Sequence, residues 1–124
     1  MNLFSFLNRR ARWSNETFGR TVNPAKMVSG ILEHIRSEVK EIEIDPFDIT
    51  ETVDLILLAF ELANRAGHTP HDLIKAIQAK QVINESRTWL PFVEAMRARH
   101  VEPHKGEFDP FKNAKPGDIC EVRP

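Results

Sequence analysis

The chain has 124 residues, of which 41% are apolar and 28% charged, the composition of a single soluble domain. Its longest apolar run, residues 55–60, is much shorter than the roughly 20 residues of a membrane-spanning helix, so we expect no membrane partner. The N-terminus does not have the form of an export signal. Cys120 is the single cysteine, which excludes a disulfide framework and a cysteine-ligated zinc site and favours the reducing cytoplasm.

Negative charge is concentrated in the middle of the chain, although the net charge is only -1. Residues 33–61 contain nine acidic and two basic residues, a net charge of -7, which leaves +6 on the rest of the chain. An acidic centre repels a nucleic-acid backbone and attracts cations. We therefore expect no nucleic-acid partner.

Two helix starts in the first half of the chain are marked by capping residues. Asn23-Pro24 is typical of a helix N-terminus, and apolar residues then recur at helical spacing, which predicts a first helix over 24–43. Asp48 and Glu51 have the spacing of a capping box, which predicts a second helix as far as Ala66. The break between the two helices is short, so we expect them to lie antiparallel.

Two further helices are predicted in the second half. Thr69-Pro70 repeats the cap-and-proline pattern and predicts a third helix to about Arg87. A short fourth helix can begin at Pro91 and bury Val93 and Met96.

These elements divide the chain into an N-terminal segment (1–22), a helical domain (23–100) and an extended C-terminal tail (101–124). The tail contains four prolines and little apolar periodicity. No strand-like alternation persists anywhere, so we expect an all-α antiparallel bundle.

The second helix carries an acidic stripe on an otherwise apolar surface. Its apolar side chains surround the whole helix axis, which is typical of a helix buried on nearly every side. Glu51, Asp54 and Glu61 fall within about 80° of one another on the helical wheel. Because desolvated carboxylates need a counter-charge, we expect a cation to meet this stripe.

A second pair of acids lies on the first helix. Glu38 and Glu41 are three residues apart and share a face with His34, so the antiparallel arrangement brings them towards Glu51 and Asp54. Four converging carboxylates provide the all-oxygen ligands that Mg²⁺ or Mn²⁺ prefers. A ferritin-like di-iron site is disfavoured because the chain has no Glu-x-x-His.

Each acid also has a structural interpretation. Glu51 can simply be the capping partner of Asp48, Glu38 and Glu41 can be solvated, and Asp54 can pair with a buried arginine. The metal-site hypothesis rests on the combination of two acid pairs on adjacent helices.

The third helix becomes basic along a line that begins apolar. Continuing from Leu73 and Ile77 at helical spacing, this line reaches Lys80, Asn84 and Arg87. Either the helix leaves the core there, or these side chains are donors for a polyphosphate.

Five segments of the chain carry a family resemblance in combination. They are WSNETFG (13–19), HIRSEVKEIE (34–43), DITETVD (48–54), RAG (65–67) and KQVINESRTW (80–89). Together they resemble the dATP/dGTP diphosphohydrolase (MazZ-type) branch of the MazG-like all-α nucleotide pyrophosphohydrolases. The resemblance covers about residues 13–91.

The resemblance implies a MazG-like antiparallel helical bundle, oligomeric and with an irregular C-terminal tail, whose catalytic domain is 23–100. It implies metal-dependent cleavage of a purine deoxynucleoside triphosphate, dGTP or dATP, to the monophosphate and pyrophosphate. Such an activity serves either pool cleansing or the supply of dGMP to a modified-purine pathway.

The family's acidic motif, Glu-Glu-x-x-Glu followed by Glu-x-x-Asp, implies catalytic and metal-binding roles for four residues of this chain: Glu38, Glu41, Glu51 and Asp54. They would hold two or more Mg²⁺ or Mn²⁺ ions, with Glu41 the favoured base and Glu61 an outside candidate. Ser37 stands where the motif has its first glutamate, which leaves the number of ions open.

The resemblance also implies nucleotide contacts from the third helix. The family's lysine and asparagine match Lys80 and Asn84, and Arg87 follows one turn later. Trp13 and Phe18 either stack on the purine base or belong to the core.

Two further expectations concern partners. A second helix that is apolar on nearly all sides needs more cover than a small chain provides, so we expect a homodimer or homotetramer. The alternative function is a catalytically inactive helical interaction protein whose acidic cluster is a docking surface.

Overall fold

A computed structural model of the chain describes residues 1–90 and 99–100. Its helices are α1 (Leu3–Phe18), α2 (Pro24–Ile44), α3 (Ile49–Arg65) and α4 (Pro70–Ser86), and the strands β1 (Trp89–Leu90) and β2 (Arg99–His100) pair antiparallel. The all-α prediction is confirmed, since each strand is only two residues long. The predicted fourth helix from Pro91 and the C-terminal tail lie outside the described residues.

The chain divides into two units. The first, Met1–Leu73, contains α1, α2, α3 and the first turn of α4, and the second is Ile74–Pro124. No helix among the described residues is long and apolar enough to cross a membrane.

The cap-and-proline patterns mark real helix starts. The Asn23 side chain accepts a hydrogen bond from the Lys26 backbone N–H at 3.1 Å, and Pro24 opens α2. At α4, Thr69 Oγ1 accepts from the Asp72 N–H while Asp72 Oδ2 accepts from the Thr69 N–H. This reciprocal pair satisfies two backbone donors at the helix start.

The cap of α3 differs from the predicted capping box. Asp48 Oδ1 accepts from the backbone N–H of Thr50 at 2.9 Å and from its hydroxyl. The Asp48 backbone N–H donates to the Asp45 carbonyl at 3.3 Å, so it does not require the Glu51 side chain. The interpretation of Glu51 as only a capping partner is therefore wrong.

The N-terminal segment contains a helix, α1, that was not expected from the sequence pattern. Asn2 caps it by accepting from the Ser5 N–H at 3.0 Å, and Leu7 and Ser14 form its buried face. Leu7, Ala11 and Ser14 recur at helical spacing, a signal that small and polar residues made weak.

Helix α3 is the centre of the first unit, because both α1 and α2 pack against it. Helices α2 and α3 are antiparallel, since Glu41 meets Glu51 next to the connection and Glu38 faces Asp54 further from it. Among the described residues, Leu7 and Ala79 are the buried hydrophobic side chains. Helix α3 is therefore less covered within one chain than its composition predicts, and Val53 and Ile56 on it are exposed.

Candidate active site

Three glutamates from two helices come together beside the α2–α3 connection. Glu38 and Glu41 lie one turn apart on α2, and Glu51 lies in the first turn of α3. One carboxylate oxygen from each lies within 4.8 Å of those from the other two. We call these three residues the carboxylate cluster.

Two oxygens of the carboxylate cluster are buried and unsatisfied. Glu38 is only 7% exposed, and within the described residues Glu38 Oε2 and Glu51 Oε2 have no hydrogen-bond partner. The other oxygen of Glu38 lies 3.4 Å from Nε2 of the exposed His34. Buried acceptors without donors are costly in a folded protein, so they point to a group that the protein alone does not supply.

The carboxylate cluster disfavours its own negative charge. Burial raises the pKa of Glu51 to about 7, with further contributions from a hydrogen bond with Glu41 and from the charges of Glu41, Glu38 and Asp48. Burial likewise raises the pKa of Glu38, helped by Glu41 and Asp54 and opposed by His34. Near neutral pH the carboxyl group of Glu51 can therefore stay protonated and donate a hydrogen bond to Glu41.

Asp54 completes the predicted set at the edge of the carboxylate cluster. It lies one turn after Glu51 on α3, and its charge contributes to the raised pKa of Glu38. Its side chain is exposed, so it can face a bound molecule from the solvent side. The structure thus brings three of the four predicted acids together and places Asp54 near Glu38, outside the three-residue carboxylate cluster.

The carboxylate cluster fits a divalent cation. The atoms that it offers as metal ligands are all carboxylate oxygens, which Mg²⁺ and Mn²⁺ prefer. Two of these carboxylates have a buried oxygen that receives no hydrogen bond within the described residues. A cation would also offset both the burial and the mutual repulsion that raise the pKa of Glu38 and Glu51.

Glu61, the third acid of the predicted stripe, is not part of the carboxylate cluster. Its Oε1 accepts from Arg10 at 3.3 Å, and its Oε2 accepts from Arg65 Nε at 3.4 Å and from the Ser14 hydroxyl. Burial by itself would raise the pKa of Glu61, but hydrogen bonds from Ser14 and Asn64 and the charges of Arg65 and Arg10 outweigh it and lower that pKa. The cation expected at this acid is therefore an arginine of the protein, and this pairing disfavours Glu61 as the base.

Among the described residues, Arg65 is the largest fully buried side chain, a role that was not predicted for it. It is 1% exposed and donates to the Gly19 carbonyl at 2.7 Å, to Thr21 Oγ1 at 3.3 Å and to Ser14 Oγ at 2.9 Å. Arg65 lies in segment 65–67, and Ser14 and Gly19 lie in segment 13–19, two of the segments that carry the family resemblance, whereas Thr21 lies just outside them. The resemblance marked both segments as important, but it gave no indication that they contact each other.

Trp13 and Phe18 form an exposed aromatic pair on α1. Their rings pack edge to face with centroids 5.5 Å apart, and the two residues are 52% and 64% exposed. The alternative that they belong to the core of the single chain is therefore wrong. Their contact with a purine base stays a prediction.

The predicted phosphate-binding residues lie in the second unit. Lys80 and Asn84 are half-buried on α4, and Arg87 follows directly after its end. The Asn84 carbonyl accepts from the Arg87 backbone N–H at 3.2 Å and from the Trp89 indole at 2.6 Å. These bonds fix the end of α4, and the role of the three side chains towards phosphate stays a prediction.

Comparison with known proteins extends the resemblance. A family model described as dATP/dGTP pyrophosphohydrolase matches residues 6–107, most of the chain. The matched region includes most of α1 and continues beyond residue 91, so the limits of 13–91 expected from the sequence were too narrow. No curated protein and no solved structure gives a significant match.

Proposed function

The chain belongs to the dATP/dGTP pyrophosphohydrolase family and is a nucleotide pyrophosphohydrolase, and from this premise we propose a metal-dependent reaction at the carboxylate cluster. The substrate is dGTP, dATP or both, and the products are the monophosphate and pyrophosphate. Glu38, Glu41, Glu51 and Asp54 are the ligands of two or more Mg²⁺ or Mn²⁺ ions.

One observation carries this proposal. Glu38 Oε2 and Glu51 Oε2 are buried acceptors without a donor in the described part of the chain, within a cluster whose carboxylates repel one another. A purely structural site would have supplied arginine or lysine, as the same protein does for Glu61. A bound divalent cation supplies the missing positive charge, lowers the pKa of a water and offsets the charge of a triphosphate.

The protein's own residues then have separate roles. Glu41 is the most exposed member of the carboxylate cluster and is the proposed base that removes a proton from the attacking water. Glu38 and Glu51 are more buried and hold their oxygens in a fixed position. Attack at the α-phosphorus releases pyrophosphate, whose charge Lys80 and Arg87 offset, and Asn84 donates to a phosphate or sugar oxygen.

The proposed role of the second unit has its own test. Lys80→Ala should weaken triphosphate binding more than monophosphate binding, because we assign Lys80 to the leaving pyrophosphate. Equal weakening of both would contradict that assignment.

Trp13 and Phe18 are the proposed contact for the purine base. Exposed aromatic faces are suited to stacking on a flat ring, and the two rings contact each other edge to face.

The experiment that tests the function is a pyrophosphate-release assay over all dNTPs and NTPs, with Mg²⁺, Mn²⁺ or EDTA. We expect turnover of dGTP or dATP that EDTA abolishes. Turnover that persists in EDTA would contradict the metal dependence, and a preference for pyrimidine nucleotides would contradict the substrate.

We also propose that the protein works as a homodimer or homotetramer. Large apolar side chains that remain exposed on the single chain include Leu32 and Val39 on α2 and Val53 and Ile56 on α3. Such surface is rare on monomers and is typical of subunit interfaces. Light scattering that gives the mass of a single 14.3 kDa chain at micromolar concentration would contradict this assembly.

A further inference from the structure

One buried guanidinium holds both ends of the segment that carries the aromatic pair. Arg65 donates to the carbonyl and the hydroxyl of Ser14, at 3.3 and 2.9 Å, directly after Trp13 in the chain. It also donates to the carbonyl of Gly19, at 2.7 Å, directly after Phe18. The backbone next to each aromatic residue is thus fixed by the same side chain of α3.

Apolar side chains would pack α1 against α3 at a lower cost in free energy. Arg65 is 1% exposed and Glu61 9%, so both charges are removed from water at a cost that apolar side chains would avoid. A planar guanidinium provides instead several donors in a fixed geometry, which determines position more than it adds stability. The expected benefit is therefore a fixed conformation of residues 13–19.

Gly19 gives that segment its sharp end. It has φ 88° and ψ 162°, a conformation that is essentially restricted to glycine, and it ends α1 immediately after Phe18. A Cβ at this position would meet no atom within 4 Å, so only the backbone conformation requires glycine here. The chain turns at this residue, and Arg65 binds the carbonyl at the turn.

We propose that Arg65 is a positioning residue for base recognition, which holds Trp13 and Phe18 as a rigid platform for the purine ring. This inference rests on the proposed function, because it takes the aromatic pair as the base contact. Arg65 itself touches no substrate. Its bonds to Ser14 and Gly19 restrict the two backbone positions that determine where the platform lies.

The test compares three variants whose fold is first checked by circular dichroism and melting. Arg65→Lys keeps the charge and removes the planar fork, and Gly19→Ala disturbs the same turn while leaving Arg65 in place. Gly30→Ala is the matched control, since Gly30 lies within α2 and an added Cβ would also meet no atom within 4 Å. Gly19→Ala keeps the inference testable if Arg65→Lys does not fold.

The readouts distinguish an effect on recognition of the base from an effect on binding of the phosphates. Each variant is assayed for KM and kcat with the preferred purine dNTP and for inhibition by inorganic tripolyphosphate, which has no base. We expect Arg65→Lys and Gly19→Ala to raise KM about tenfold, because stacking on the platform is lost in part. Tripolyphosphate inhibition and kcat should stay within about twofold of wild type, and Gly30→Ala should change none of these values.

Fluorescence gives a signal that does not depend on turnover. A non-hydrolysable purine dNTP should quench Trp13, the quenching should be lost in Trp13→Phe, and Arg65→Lys should shift its midpoint to higher concentration. If Trp13→Ala and Phe18→Ala leave KM unchanged, the proposed base contact is wrong. If those variants raise KM but folded Arg65→Lys does not, or weakens tripolyphosphate equally, only the positioning role of Arg65 is wrong.

Discussion

The two ends of α3 each place a glutamate against a neighbouring helix, and the two carboxylates meet opposite surroundings. Glu51, at the N-terminal end, faces Glu38 and Glu41, and its pKa is raised to about 7. Glu61, near the C-terminal end, is bonded by Arg10, Ser14 and Arg65, and its pKa is lowered despite burial.

The difference between these two glutamates separates the proposed metal site from a structural ion pair. The structural carboxylate has its donors within the protein and stabilises the contact between α1 and α3. The carboxylates of the other end repel one another and leave oxygens without donors, which costs stability unless a ligand arrives. Proteins accept such a cost where function requires it.

The strongest effect is expected on activity at the N-terminal end of α3. Asp54→Asn and Glu51→Gln keep the side-chain shape and remove a negative charge, so turnover should fall by at least about 100-fold. The metal-free melting temperature should stay the same or rise, because repulsion between carboxylates is relieved. The control is Glu43→Gln, an exposed glutamate of α2 outside the carboxylate cluster. Metal-free unfolding with normal activity per folded molecule would make these acids structural.

The opposite pattern is expected at Glu61. Glu61→Gln leaves the charges of Arg65 and Arg10 uncompensated in a buried place and should cost about 3 kcal/mol in the free energy of unfolding. The turnover of molecules that remain folded should be close to that of the wild type, because this change leaves the carboxylate cluster intact. Urea unfolding and an activity assay at low temperature measure the two quantities. A stable but inactive Glu61→Gln protein would reverse the two roles.

Metal binding should distinguish the two ends by calorimetry. At about 100 times its dissociation constant, Mg²⁺ should stabilise the wild type by about 2.7 kcal/mol, and a non-hydrolysable nucleotide should add to this. Glu51→Gln should lose most of the shift in melting temperature that Mg²⁺ produces, whereas Glu61→Gln should keep it. Equal shifts in both variants would place the cation elsewhere.

The pH dependence of the metal-free protein should show two opposite slopes. The pKa of Glu51 is raised from its usual value near 4.5 to about 7, so its contribution to stability is present below about pH 4.5 and is lost as the pH rises through 7. The pKa of Glu61 is lowered, so its contribution is present above pH 4.5 and is lost as the pH falls. Melting temperatures in EDTA between pH 4 and 8 should therefore fall by a few degrees towards neutral pH, and Glu51→Gln should flatten that fall. An unchanged slope in this variant would assign the titration to another group.

The sequence predicted the carboxylate cluster because its geometry is almost entirely local. Glu38 and Glu41 lie one turn apart on α2, and a short connection places the first turn of α3 beside them. Helix starts at Pro24 and Pro70 were equally local, since each depends on one capping residue and one proline.

Glu61 was predicted to share one acidic stripe with Glu51 and Asp54 because a helical wheel gives only the angle around the helix axis. The wheel ignores the distance along that axis. Glu51 and Glu61 are ten residues apart, about 15 Å along the helix, so they cannot share one ligand cluster. Helix α1 was not predicted because its buried residues, Leu7 and Ser14, do not form a clear apolar stripe.

Caps, prolines and one-turn intervals act over a few residues, so the starts of α2, α3 and α4 and the spacing of the acids were predictable from local patterns. Which acid the protein itself neutralises follows from the packing of the helices. Two partners of Glu61 come from α1, 47 residues away at Ser14 and 51 at Arg10, and no local pattern specifies these contacts, whereas Arg65 lies one turn further along α3 itself. Whether a buried carboxylate is neutralised by the protein depends on the charges packed against it, and those are brought together only when the helices pack.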